Sequence, residues 1–202
     1  MRWGRVEITA GALLLWALLY YLDSGGMVPQ VLAACALHEL GHYAAIRLLG
    51  GRVARLKITC VGAEMALSAR FLLGPARELT AALAGPAVNL LCAGLWAGLG
   101  ERWYCFAGIH LALGLFNLLP VGPLDGGRAL GCLLALAGHE DWAEPAVGVL
   151  SAGLCMGLTM GALLLWRAGE YNLTLPLMAL WLLATPIRMK KMKILLAFPH
   201  RA

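Results

Sequence analysis

The sequence predicts an all-α polytopic membrane protein with about six transmembrane helices, the fourth of them broken, and a small β-hairpin after the second. Composition is the first reason: of 202 residues, 61% are hydrophobic and only 13% are charged, whereas an ordinary soluble domain has about 25% charged residues. The mean hydropathy of +0.77 agrees. A soluble core of this size could not hide so many apolar side chains, so the lipid bilayer is the expected solvent.

Apolar runs close to the length of about 20 residues that a membrane-crossing helix needs recur along the chain. The expected spans run from about Val6 to Leu22, Met27 to Leu49, Leu79 to Leu99, Trp103 to Ala137, Pro145 to Trp166 and Tyr171 to Ile187. Pro120, Gly122 and Pro123 interrupt the fourth, which resumes at Leu124, because proline lacks the N–H that a helix interior requires. We expect one domain, residues 1–202, with a functional core at about 27–138.

The segment between the second and third spans differs from the rest. Its polar residues Arg55, Lys57 and Thr59 alternate with Leu56, Ile58 and Cys60. A period of two is typical of a β-strand, so we expect a hairpin at the membrane surface within Gly51–Arg70. An irregular basic loop is the alternative.

The net charge of +5 comes mainly from basic residues near the N-terminus, after the second span and in the C-terminal tail. In a six-span topology these segments lie on one side, and lysine and arginine mark the cytoplasmic side. Both termini are therefore expected in the cytoplasm, and the charge gives no reason to expect nucleic acid as a partner. None of the six cysteines forms a CxxC pair. We therefore interpret them as small buried hydrophobic residues rather than zinc ligands.

Polar side chains inside a bilayer are costly and usually functional. The first group within the expected spans is His38, Glu39 and His42, in the motif HELGH. Histidines four positions apart share one helix face and can bind one zinc ion at about 2.0–2.1 Å. Glu39 can then act on a water molecule as general base and afterwards as proton donor. A merely solvated charged face is excluded, because this helix is apolar.

A catalytic zinc site takes three protein ligands and keeps one open position. His110 and Asp125 are the candidates for the third ligand. At about 1.5 Å per residue, His38 lies roughly 18 Å, His42 roughly 12 Å and Asp125 roughly 20 Å from the cytoplasmic ends of their helices. His110 would lie toward the opposite face, as a packed or hydrogen-bonding histidine. The similar depths of His38, His42 and Asp125 in the membrane therefore favour Asp125 over His110 as the third ligand.

Three motifs in this order resemble the site-2 protease family of intramembrane metalloproteases. They are HELGH at residues 38–42, AGPAVNL at 84–90 and NLLP followed by LDGG at 117–127. The layout is similar to the bacterial branch that includes the stage IV sporulation FB protease, without the CBS domain of that protease.

The resemblance implies a Zn²⁺ cofactor with His38, His42 and Asp125 as ligands and Glu39 as the catalytic acid/base. It also implies a role near the substrate or the oxyanion for Asn117. We expect Asn89 to hold the third span against the site and assign it to the same positioning role. Asn117 could instead cap the broken half-helix, and Asn89 could instead make an interhelical hydrogen bond.

The activity implied is peptide-bond hydrolysis within a membrane segment by a zinc metalloendopeptidase, and its substrate could be a sporulation sigma-factor precursor. The implied partners are a membrane protein substrate, the lipid bilayer and an inhibitory or regulatory membrane protein. The implied location is the bacterial cell membrane or the membrane around a forespore. The expected hairpin could offer an edge strand to an extended substrate. The alternative function is a zinc-binding membrane transporter or an inactive homologue that acts as a scaffold.

Overall fold

The computed structural model describes residues 2–3, 6–59, 62–67 and 73–169, which are mostly helical with one four-stranded sheet. The chain divides into two compact units, residues 1–117 and residues 118–202. The predicted organisation as a single domain stays a prediction.

The first unit contains the sheet and four helices. Its elements are β1 (Arg2–Trp3), β2 (Val6–Ile8), α1 (Ala10–Leu22), α2 (Met27–Leu48), β3 (Val53–Thr59), β4 (Gly62–Leu67), α3 (Pro75–Gly98), a 3₁₀ turn (Glu101–Trp103) and α4 (Tyr104–Asn117). The strand order is β1-β2-β3-β4, with β2 parallel to β3 and the other pairs antiparallel. The predicted hairpin is confirmed as β3 and β4, which pair with Lys57 opposite Glu64.

The first helix begins later than the sequence predicts. Val6–Ile8 forms β2, whose backbone pairs with β3, so the expected helix start at about Val6 is wrong. The change of element occurs at Thr9: its N–H donates to the Ile58 carbonyl at 3.0 Å, and its Oγ1 accepts from the Ala12 N–H at 3.3 Å. That second bond satisfies one of the N–H groups that a helix start leaves open.

An aspartate between α1 and α2 organises the start of α2. The Asp23 carboxylate accepts backbone N–H bonds from Val28 at 2.8 Å, Met27 at 3.1 Å and Gly25 at 3.3 Å. The bond from Val28 is the largest of the contributions that hold the pKa of the Asp23 carboxyl below its usual range. A negative charge is favourable at a helix N-terminus, where the backbone dipoles present positive charge.

Helices α2, α3 and α4 pack on one another. They carry the buried polar residues of the first unit, which are His38, His42, Asn89 and His110. α2 and α3 come close at Gly41, where an added Cβ would lie 2.9 Å from both the Ala84 carbonyl oxygen and Val88 Cγ2. Such a distance is shorter than carbon contacts of about 3.5 Å. Glycine in HELGH therefore allows the two backbones to approach.

The second unit contains α5 (Asp125–Leu136) and α6 (Glu140–Arg167), which pack together. The segment 118–124 between α4 and α5 is not helical, so the break predicted in the fourth span is confirmed. The Gly122 N–H in this segment donates to Ser151 Oγ at 3.2 Å, and that hydroxyl donates to the Val147 carbonyl at 2.7 Å. α6 thus provides an acceptor for a backbone group that the broken helix leaves open.

Two described helices, α3 and α6, are long and apolar enough to cross a membrane. α1 is apolar but has only 13 residues. The expected sixth span and the basic C-terminal tail lie outside the described residues. The count of six spans and the cytoplasmic termini therefore stay predictions.

Candidate metal centre

Two histidine nitrogens meet on one face of α2, as their spacing predicts. Nε2 of His38 and Nε2 of His42 lie 3.1 Å apart, and the rings meet edge to face with their centroids 4.7 Å apart. Both side chains are buried, at 6% and 7% exposure. With bonds of about 2.0–2.1 Å, two nitrogens in a tetrahedral zinc shell lie roughly 3.3 Å apart. The pair therefore fits two adjacent ligand positions of one zinc ion.

α3 fixes the ring of His42 and leaves room for it. His42 Nδ1 lies 2.7 Å from the Ala81 carbonyl oxygen. Because a carbonyl can only accept, Nδ1 carries the proton and Nε2 keeps the lone pair that a metal needs. Gly85 packs against the same ring, where an added Cβ would lie 2.7 Å from both Cδ2 and Cε1. The backbone carbonyl and the missing side chain together set the orientation of His42.

A polar chain joins His38 to two further helices. Nδ2 of Asn89, on α3, donates to His38 Nδ1 at 3.1 Å. Oδ1 of Asn89 accepts from Nδ1 of His110, on α4, also at 3.1 Å. Asn89 and His110 are both fully buried. Asn89 thus makes interhelical hydrogen bonds behind a predicted zinc ligand, while its predicted role in positioning substrate or oxyanion stays a prediction.

Glu39 follows His38 on α2 and is half-buried, whereas the two histidines are buried. Consecutive helical residues point about 100° apart, so the carboxylate lies beside the histidine face. A partly exposed carboxylate next to a ligand pair is suited to exchange protons with water.

Asp125 is the first residue of α5, in the second unit, and it is buried. Its carboxylate forms an ion pair with Arg128, with 3.6 Å between Oδ1 and Nη1. The first turn of a helix stabilises a negative charge. Added Cβ atoms at Gly126 and Gly127 would overlap the carbonyl groups of Leu118 and Val121. The glycines of LDGG therefore let the broken segment fold back against the start of α5.

Asn117 is the last residue of α4. Its Nδ2 donates to the Leu113 carbonyl one turn earlier, at 3.0 Å. This bond to the carbonyl four positions earlier holds the Asn117 side chain against the last turn of its own helix. The predicted role of Asn117 near the substrate or oxyanion stays a prediction.

Sequence reasoning did not find three of these contacts: the Ala81 carbonyl, the bond between Asn89 and His110, and Ser151. A backbone carbonyl has no sequence signature. Asn89 and His110 are 21 positions apart on different helices, and no spacing rule connects them. The only available signal was the cost of placing polar side chains in apolar spans.

Comparison with known proteins gives a family match over part of the chain and a fold match over most of it. Residues 93–160, which include Asp125, match the model of peptidase family M50. Two curated relatives, named as the zinc metalloprotease Rip3 of Mycobacterium tuberculosis strains Erdman and H37Rv, are 32% identical over 161 residues. The match covers 73% of this chain and 40% of each relative, so the chain spans less than half of their length.

The fold comparison covers almost the whole chain. The structure of the site-2 protease from Methanocaldococcus jannaschii aligns with a TM-score of 0.69, over 93% of this chain and 92% of that chain, at 19% identity. Identity at that level carries the fold and not the activity. Part of the chain, residues 93–160, thus resembles peptidase family M50, and the chain has the fold of a site-2 protease.

Proposed function

We propose that the chain is a zinc metalloendopeptidase that hydrolyses peptide bonds in membrane-embedded or membrane-associated protein substrates. The observation that carries the proposal is the convergence of His38 Nε2 and His42 Nε2 at 3.1 Å, with Glu39 between them in sequence. The names of the curated relatives and the M50 match support the same activity.

The ligand set that we propose is His38, His42 and Asp125. Two neutral imidazoles and one carboxylate form a common donor set of catalytic zinc. Asp125 comes from the second unit, and its proposal rests on the LDGG motif and on the burial of its carboxylate. Replacing it with asparagine should lower the number of zinc ions retained per chain.

Zinc, when bound, supplies a Lewis acid that polarises the scissile carbonyl and makes water more acidic. Glu39 removes a proton from the attacking water and then delivers a proton to the leaving amine. His42 is held in its ligand orientation by the Ala81 carbonyl. We further propose that β4, at one end of the strand order, pairs with a substrate segment that has left its helix.

The experiment is co-expression of the full chain with candidate membrane substrates, comparing the wild type with Glu39→Gln. The variant keeps the size of the side chain but removes its base, so it should bind zinc as the wild type does and lose cleavage by a factor of about 10² or more. Glu140→Gln changes an exposed carboxylate in the first turn of α6 and should cleave normally. Unchanged cleavage by Glu39→Gln would contradict the mechanism.

The alternative is a zinc-binding membrane transporter or an inactive scaffold. Neither needs a carboxylate beside the first histidine, so neither would respond to Glu39→Gln. The narrower expectations, a sporulation sigma-factor precursor as substrate and a regulatory membrane partner, stay predictions. A panel of tagged membrane substrates in the same co-expression assay tests the first of them.

A further inference from the structure

The start of α5 carries Asp125 but has no polar side chain at its N-cap. The N-cap residue is Leu124, whereas this position is usually taken by Ser, Thr, Asp or Asn, whose side-chain oxygen accepts a backbone N–H. Leu124 is instead buried among apolar groups, at 4% exposure. The placement of Asp125 therefore depends on contacts that the preceding segment makes with other parts of the second unit.

Residues 121–124 form a tight turn that leads directly into α5. The Leu124 N–H donates to the Val121 carbonyl at 2.9 Å and closes the turn. The same carbonyl lies against Gly127, where an added Cβ would overlap it, and Val121 itself is 1% exposed. Because backbone packs on backbone here, a shift of the turn would also shift the first turn of α5 and Asp125 with it.

A serine on α6 ties this turn to the neighbouring helix. Of the two inner residues of the turn, Gly122 and Pro123, only glycine has a backbone N–H to donate. That N–H donates to Ser151 Oγ at 3.2 Å, and the Ser151 hydroxyl donates to the Val147 carbonyl at 2.7 Å. An N–H can only donate and a carbonyl can only accept, so chemistry fixes the direction of both bonds.

We propose that Ser151 is a positioning residue for the zinc ligand Asp125, acting through the turn at residues 121–124. The hydroxyl holds the turn on α6, the turn holds the first turn of α5, and that first turn presents the carboxylate. All of these contacts lie within the second unit. Distances between a metal and its ligands tolerate changes of only about 0.2 Å, so a small movement of the turn is enough to weaken zinc binding. The proposal rests on the zinc site of the proposed function.

α6 also supplies a matched control for the loss of a hydroxyl group. Thr159 Oγ1 donates to the Cys155 carbonyl four positions earlier at 2.8 Å, as Ser151 does to Val147. Its only hydrogen bond among the described residues is this one within its own helix. Thr159→Ala therefore removes the same kind of bond without affecting the turn.

The first measurement is the zinc affinity of the full-length, detergent-solubilised protein, determined by competition with a chromophoric chelator. Losing a partner behind a zinc ligand costs about 10- to 100-fold in affinity. Ser151→Ala should lose about 10-fold, the lower end of that range, because Ser151 acts through backbone and not on the carboxylate itself. Ser151→Thr keeps the hydroxyl and should restore most of the affinity, and Thr159→Ala should match the wild type. Wild-type affinity in Ser151→Ala overturns the proposal, and so does an equal loss in Thr159→Ala.

Hydrogen exchange at the Gly122 amide tests the turn without any metal. In the zinc-free wild type this amide should exchange more slowly than an amide in an unstructured peptide, because it is hydrogen-bonded. Ser151→Ala should lose that protection, Ser151→Thr should keep it, and Thr159→Ala should not change it. An unprotected Gly122 amide in the wild type overturns the proposal even if Ser151→Ala does not fold.

Asp125→Asn distinguishes a failure of the positioning role from a failure of the zinc site. If the wild type binds no zinc, the proposed function fails as well. If Asp125→Asn binds zinc as tightly as the wild type, the ligand assignment fails and the role of Ser151 fails with it. If Asp125→Asn loses zinc and Ser151→Ala does not, only the positioning role fails.

Discussion

Gly85→Ala should affect the candidate metal site more than the rest of the fold, because the three atoms nearest to the added methyl group all belong to the His42 ring. A Cβ at position 85 would lie 2.7 Å from two ring carbons of His42 and still closer to Nε2. Carbon–carbon contacts normally begin at about 3.5 Å, so the ring must retreat by roughly 0.8 Å. Distances to a metal tolerate changes of only about 0.2 Å.

Two consequences of different size follow from this overlap. Zinc affinity should fall by about 10- to 100-fold or more, as when the support of a ligand is lost. The free energy of unfolding should fall by about 1–3 kcal/mol, the usual cost of overpacking a buried site. Zinc affinity can be measured by chelator competition, and stability by thermal unfolding of the same detergent-solubilised sample.

Gly94→Ala is the matched control on the same helix. In the described part of the chain, no atom outside the backbone of its own helix lies within 4 Å of a Cβ added there. Alanine is the better helix former by up to about 1 kcal/mol, so this variant should bind zinc normally and be at least as stable as the wild type. Wild-type zinc affinity in Gly85→Ala would refute the placement of the His42 ring against α3.

Two further predictions concern the starts of helices. Gly126→Ala should lower the free energy of unfolding by about 1–3 kcal/mol, because its Cβ would overlap backbone of the preceding loop, whereas Gly131→Ala, with no described atom outside its own helix backbone within 4 Å of the added Cβ, should be neutral or stabilising; equal thermal stability of the two variants would contradict this. The hydrogen bond from Val28 lowers the pKa of Asp23, so its stabilising effect is complete at neutral pH and is lost as the pH falls below about 4. The difference in thermal stability between the wild type and Asp23→Ala should therefore shrink from pH 7 to pH 3, and a constant difference would exclude this role for the charge.

Sequence periodicity and residue chemistry were enough to predict the elements whose cause is local. The alternation in 53–59 predicts β3, and Pro120 and Pro123 predict the break before α5. The spacing of His38 and His42 predicts that their side chains share a face. In each case the determining residues lie within a few positions of one another, so a single window of sequence contains the physical reason.

The features that sequence missed depend on contacts between distant segments. β2 has only three residues, Val6–Ile8, and forms because β3 supplies a neighbouring edge some 50 residues later. A short apolar segment beside an apolar helix looks like the beginning of that helix. The bond from His110 to Asn89 likewise exists only once α3 and α4 have packed. Polar residues in apolar helices indicated that partners exist but not which ones.

The junction at Thr9 has a consequence for how this architecture can vary. Thr9 directly follows β2 and caps α1, so no linker separates the sheet from the helix. One inserted residue would turn α1 by about 100° relative to the sheet or move every side chain of the short strand to its opposite face. No loop is present to absorb either change. Natural variation at this position should therefore consist of substitutions, while insertions and deletions should fall in the turn after α1.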